Sequence, residues 1–191
     1  MGFEYHHLDE ADVREAMVAC WREEWATLEL LDGSDRPYGK QLTAIGWDAF
    51  AAAMPEALAE QDDEWLREQM SDLGYWDPHL TRNTKQGVKL VEYNKPDAIQ
   101  KLCLGEFNIA YIRGLATALV GRDEMECVVY RADGAYVPRG ECSEWEGKQF
   151  PLRDVIDGHR ARYWPPGEGD PAIFSIPSGP NCHHSIKAVS A

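Results

Sequence analysis

Residues 95–121 read KPDAIQKLCLGEFNIAYIRGLATALVG, and this stretch decides how the rest of the chain is arranged. Pro96, just behind Asn94 and Lys95, suits the first turn of a helix, where a missing N–H costs nothing. Ile99, Leu102, Cys103, Phe107, Ala110, Tyr111, Leu115, Ala118 and Leu119 recur at three- and four-residue steps, which predicts one long central helix ended by Gly121-Arg122-Asp123. Gly105 and Gly114 each cost such a helix about 1 kcal/mol relative to alanine, so close packing against another backbone is the expected compensation. Four polar residues, Glu106, Asn108, Tyr111 and Arg113, lie among the apolar ones. Asn108 and Tyr111 share a face, and so do Glu106 and Arg113 two turns apart. With no nucleophile or metal motif beside them, they read as a buried hydrogen-bond network holding the helix against strands and not as an active-site lining.

Upstream the chain is acidic. The formal net charge is −14, and residues 1–75 carry 18 acids against 5 bases while residues 76–191 carry 15 against 14. The composition therefore divides the chain into an acidic helical region, 1–75, and a second part, 76–191, which together form one compact unit. Val13, Ala16, Met17, Cys20, Trp21, Leu28 and Leu31 predict an amphipathic helix from about Glu10 to Leu31, stopped by the turn formers from Asp32 to Pro37. Thr43 is a predicted N-cap, and Pro55 predicts two successive helices. The second carries Leu58, Trp65, Leu66 and Met70 inward, with Glu56, Glu60, Asp62, Asp63, Glu64 and Glu68 mostly outward, and ends at Gly74 in a left-handed cap.

Downstream, a loop with the basic residues Arg82, Lys85 and Lys89 leads into a strand through Val88, Leu90, Val91 and Tyr93. Met125 to Arg131 reads as a buried strand, and Asp133-Gly134 predicts a hairpin to Ala135–Pro138. A short helix is expected from Pro151 to about Arg160, and the proline-rich end from Trp164 to Ala191 as an irregular arm held down by contacts. The predicted fold class is α+β, mainly helical, with a small antiparallel sheet and an irregular Pro/Gly-rich C-terminal arm.

Composition also excludes. A strongly acidic chain disfavours nonspecific nucleic-acid binding, firmly so for residues 1–75. The N-terminus has neither a basic nor an apolar leader pattern and no stretch is long enough for a membrane span, which predicts folding in a cytoplasm. Phosphate loops, a G-x-S-x-G elbow, HExxH and paired CxxC motifs are absent from the sequence. The carboxylate pairs Asp62/Asp63 and Glu144/Glu146 read as exposed. Thiols and imidazoles gather towards the C-terminus as Cys142, Cys182, His183 and His184, with Cys127 upstream and His159 between. These residue types build tetrahedral zinc sites, but no close chelating pair is present, so buried thiols with hydrogen-bonded histidines, or a Cys142–Cys182 disulfide, stand beside zinc. No cofactor is expected.

One resemblance bears on function. Trp145, Gly147, Lys148 and Phe150, followed some thirty residues later by Pro180, Asn181, Cys182 and His184, resemble the closing segment of tailed-bacteriophage minor head proteins, the Mu F-like group. There a "W-x-G-K-x-F" core precedes a "P-P-x-H-P-N-C-R-H" ending; Gly179 and His183 depart from it, and the likeness covers about a quarter of this chain. It implies a noncatalytic part of the virion at the head or head-to-tail neck. The implied partners are portal, capsid or neck proteins and further copies in a ring, with no membrane and at most indirect DNA contact, assembled in the bacterial host cytoplasm. The competing expectations are a zinc-dependent or ADP-ribosyl-transferring enzyme around Cys142, Cys182, His184 and Arg131, and a small prophage-encoded cytoplasmic binding module.

Overall fold

The computed structural model describes residues 3–28, 39, 41–85, 87–133, 145–158 and 182–189. Its architecture is α+β, with five helices and two small antiparallel sheets among these residues. The helices are α1 (Ala11–Leu28), α2 (Ala44–Glu60), α3 (Asp63–Gln69), α4 (Lys95–Gly121) and α5 (Leu152–Gly158). The strands are β1 (Leu80–Thr84), β2 (Gly87–Val91), β3 (Glu126–Arg131), β4 (Gln149–Pro151) and β5 (His184–Ala188).

Helix α4 is the axis of the molecule. Its side chains are buried nearly all round, from Ile99 to Leu119, the signature of a helix enclosed by others. Helices α1, α3 and α5 pack on it directly, and α2 packs chiefly on α1 and α3. The Asn94 side chain accepts from the Asp97 N–H at 3.3 Å to cap its start. At its end Asp123 is left-handed (φ 62°), with Asp123 N–H donating to Val120 O and Glu124 N–H to Leu119 O, so the last carbonyls are satisfied.

The acidic region departs from its sequence reading in two ways. Pro55 does not divide α2, which runs unbroken from Ala44 to Glu60. A proline inside a helix costs about 3 kcal/mol, but Phe50, Met54 and Leu58, spaced by four across it, are all fully buried, and each contributes about 1.5–3 kcal/mol. The break comes later, at Gln61, where Arg14 of α1 donates to the carbonyls of Leu58 and Gln61 at 3.1 and 2.8 Å and Asp62 caps α3 through the Trp65 N–H at 2.8 Å. Helix α3 then stops at Gln69, and Gly74 lies in a separate 3-10 turn, Leu73–Tyr75, without a left-handed backbone. Asp63, expected outward, is buried at 5 % exposure.

Strands β1 and β2 form a hairpin in register from Leu80 opposite Val91 to Thr84 opposite Gly87. The other sheet has the order β4-β3-β5, antiparallel throughout. Here the C-terminal reading is corrected for its last residues: His184–Ala188 are not irregular but pair along β3, from Arg131 opposite His184 to Cys127 opposite Ala188. Residues 164–181 and 190–191 of the expected arm, and the expected strand Ala135–Pro138, lie outside the described residues. Among the described residues β3 is the central strand, with β4 on one edge and β5 on the other.

Candidate functional site

The described residues that carried the resemblance come from both edges of the β4-β3-β5 sheet. On one edge, the chain turns at Trp145–Lys148 into β4. Gly147 sits at φ 79°, a backbone region that favours glycine, and its N–H donates to Val129 O at 2.8 Å while Val129 N–H donates to Lys148 O at 3.0 Å. The Trp145 and Phe150 rings stack at 5.5 Å, and the Lys148 ammonium lies 5.6 Å from the centre of the Trp145 ring. Trp145, Gly147, Lys148 and Phe150 thus form a clip against β3.

On the other edge, Cys182 and His184 are two residues apart on an extended chain and so share one face. The Cys182 Sγ lies 3.5 Å from His184 Nδ1, and His184 Nε2 lies 3.1 Å from Glu146 Oε1. Arg131 of β3 donates from Nε to the same oxygen at 2.9 Å, with a second contact from its terminal nitrogen. Asn108 of α4 donates from Nδ2 to the His184 carbonyl at 2.8 Å. Glu146, at the variable position between the matching Trp145 and Gly147, therefore meets His184 of the second stretch, over the central strand.

The electrostatics follow from these contacts. The Arg131 hydrogen bond, helped by His184, holds the Glu146 carboxyl below its usual range against a smaller desolvation cost. The hydrogen bond to Cys182 pushes His184 up, burial opposes this, and Glu146 adds to it. The imidazolium contribution to stability is thus fully present below the ordinary histidine value and is lost as pH rises through the raised folded value. The melting temperature of the wild type should exceed that of His184→Gln most at about pH 5.5, and the gap should narrow by about 2–4 °C per kcal/mol lost on going to about pH 8.5. A gap independent of pH would show that the imidazole acts by packing alone.

The other expected ligands are dispersed. His183 lies on the opposite side of the extended segment, its Nδ1 3.6 Å from Asp133 Oδ2 and its ring 5.9 Å from that of Phe3. Cys127 is buried in β3, its thiol pushed up to about 12 by burial. Cys142, His159, Pro180, Asn181 and Glu144 lie outside the described residues. Among the described residues no group of three or more metal-ligating side chains converges.

The polar set of α4 does not act as one unit in its described bonds. Asn108 reaches β5, the Tyr111 hydroxyl accepts from the His7 N–H at 3.3 Å, and Arg113 donates to Glu24 of α1 at 3.0 Å. Glu106 is buried on the same helix. Sequence reasoning missed His7, whose Nε2 accepts from the Ala188 N–H at 3.3 Å while Nδ1 donates to Glu10 at 2.7 Å. That arrangement selects the Nδ1-protonated neutral ring and ties the N-terminal segment to the end of β5.

The sequence matches no family model, and no curated protein or solved structure is similar to it at a significant level.

Proposed function

We propose that this protein is a noncatalytic structural component of a tailed-phage virion, placed at the head or head-to-tail neck near the portal and acting through protein contacts. The observation that carries the reading is the meeting of the two motif halves: Glu146 of the W-x-G-K-x-F stretch bonds His184 of the N-C-x-H stretch across β3. Two stretches some forty positions apart, singled out together by their likeness to minor head proteins, are thus joined in one physical unit, through Glu146 at the variable position between Trp145 and Gly147. Its strongest bonds are spent inside the sheet, Arg131 and His184 on Glu146 and Asn108 on the backbone, as a brace requires. Under this reading the partners are portal, capsid or neck proteins and further copies in a ring, contact with DNA is at most indirect, and the chain resides in the virion after assembly in the host cytoplasm.

A second reading has one observation behind it. The order Cys182 sulfur, His184 imidazole, Glu146 carboxylate is that of a thiol activated by a positioned base. Electron microscopy of purified particles carrying a labelled chain separates the two. Density at the portal vertex, with Cys182→Ala incorporated at the wild-type level and particles still infectious, is the expected result. Absence of the chain from virions overturns the structural reading, and normal incorporation of Cys182→Ala with infectivity lost favours the thiol.

A further inference from the structure

The described thiols sit in different surroundings. Cys103 is buried in the core, Cys127 donates to the Phe150 carbonyl at 3.6 Å, and burial pushes both thiols up. Cysteines so placed are inert. Cys20, half-buried on α1, faces the Thr117 hydroxyl at 3.8 Å. Among the described thiols Cys182 alone has an imidazole at hydrogen-bond distance, His184 Nδ1 at 3.5 Å.

The far side of that ring fixes which way the proton moves. Arg131 holds the Glu146 carboxyl ionised, so Glu146 can only accept, and the Nε2–H of His184 points at it. The lone pair of the neutral ring is then on Nδ1, facing the sulfur, and the thiol donates to it. Passing that proton across gives a thiolate beside an imidazolium that Glu146 stabilises. Cys182 is 7 % exposed, which admits a small reagent to the sulfur and keeps bulky ones out. A thiolate in a confined polar site, with a proton at hand for the leaving group, suits reaction with a hydroperoxide.

We propose that Cys182 is an oxidation site for small hydroperoxides, with His184 as the proton donor. The thiolate sulfur attacks one peroxide oxygen; an S–O bond forms and the O–O bond breaks. The departing oxygen takes the Nδ1 proton and leaves as water, or as an alcohol from an alkyl hydroperoxide. The sulfur gives up two electrons and becomes a sulfenic acid, and the peroxide accepts them. This deepens the thiol reading of the same site and rests on it; a single oxidation of the sulfur needs no turnover and leaves the virion role as it stands.

To test it, the full chain is reduced, freed of reductant and treated with hydrogen peroxide, with dimedone present to trap sulfenic acids. The loss of each free thiol is followed by mass spectrometry. Cys182 should react roughly tenfold or more faster than Cys103 and Cys127. His184→Gln should slow Cys182 by a similar factor while Cys20 keeps its rate, with unchanged near-ultraviolet circular dichroism as the folding control. The wild type supplies a check free of mutation. Between pH 8 and pH 6.5 an ordinary thiol, with a pKa of about 8.5, loses about twentyfold in rate as its thiolate disappears, whereas Cys182 should lose less than about threefold. Cys182 reacting no faster than Cys103, or equally fast in folded His184→Gln, or with the pH profile of an ordinary thiol, overturns the proposal. Iodoacetamide in place of peroxide separates it from the reading beneath it. Rapid, His184-dependent alkylation of a Cys182 that peroxide leaves untouched removes the hydroperoxide assignment alone, and alkylation no faster than that of Cys127 removes the thiol reading with it.

Discussion

Gly114→Ala is expected to destabilise the protein by about 2–3 kcal/mol, while Gly105→Ala in the same helix should stabilise it by up to about 1 kcal/mol. A Cβ on Gly114 would lie 2.6 Å from the Met17 backbone nitrogen, 2.8 Å from its Cα and against its Cγ. The first two are backbone atoms of α1 and have no rotamer by which to escape. Met17 is itself fully buried, so the whole of α1 must move away from α4. That movement strains contacts spread along the pair: Arg113 with Glu24, and Arg122 with Asp12 and Glu10. The gain in helix propensity, about 1 kcal/mol, offsets only part of the loss. A Cβ on Gly105 meets nothing within 4 Å, so there the propensity gain stands alone. Urea unfolding midpoints of the two variants at unchanged slope should move in opposite directions. Equal shifts would show that α1 does not approach α4 so closely.

That contrast also marks what a sequence reveals. Both glycines carry the same local cost, and the expectation of a close helix contact was right for Gly114 and empty for Gly105, because the partner backbone is almost a hundred residues away. Helix α4 was legible because its own residues determine it: apolar side chains on nearly every face, Asn94 and Pro96 at the start, Gly121-Arg122-Asp123 at the end. Pro55 was misread because its penalty is local, whereas the burial of Phe50, Met54 and Leu58 that outweighs it is tertiary. Strand β5 was missed because His184–Ala188 is short and follows a proline-rich run, and becomes a strand by pairing along an already formed β3. At the candidate site, the motif residues were visible from resemblance, but the bond between Glu146 and His184 closes over 38 positions and no spacing rule reaches that far.

Asp63 is the case where a signal was present and was outweighed. It stands in a run of acids that reads as a solvated face, yet Asp63, Leu66 and Met70 are spaced by three and four and share the buried side of α3 and its end. Burial, with the like charges of Asp62 and then Glu64, pushes the Asp63 carboxyl up to about 6, against a smaller opposing effect of backbone hydrogen bonds that include the Phe3 N–H. The folded state therefore holds this proton more tightly than the unfolded chain, whose carboxyl titrates near the ordinary value of 3.8. Across that window unfolding releases a proton, so stability falls as pH rises from about 4 to about 6. The full effect at neutral pH is about 3 kcal/mol, because each tenfold gain in proton affinity is worth about 1.4 kcal/mol. Asp63→Asn keeps an acceptor for the Phe3 N–H and removes the charge. It should match the wild type below about pH 4 and exceed it by about 2–3 kcal/mol at about pH 7, read from paired urea titrations. The paired carboxylates held low, Glu10 by His7 and then Arg122, Asp12 by Arg122 and Glu146 by Arg131, pull the other way and weaken both chains together in acid, so the difference between the two chains isolates Asp63. A difference that does not grow with pH would mean the carboxylate is ionised in a solvated setting, and that α3 does not turn this residue into the core.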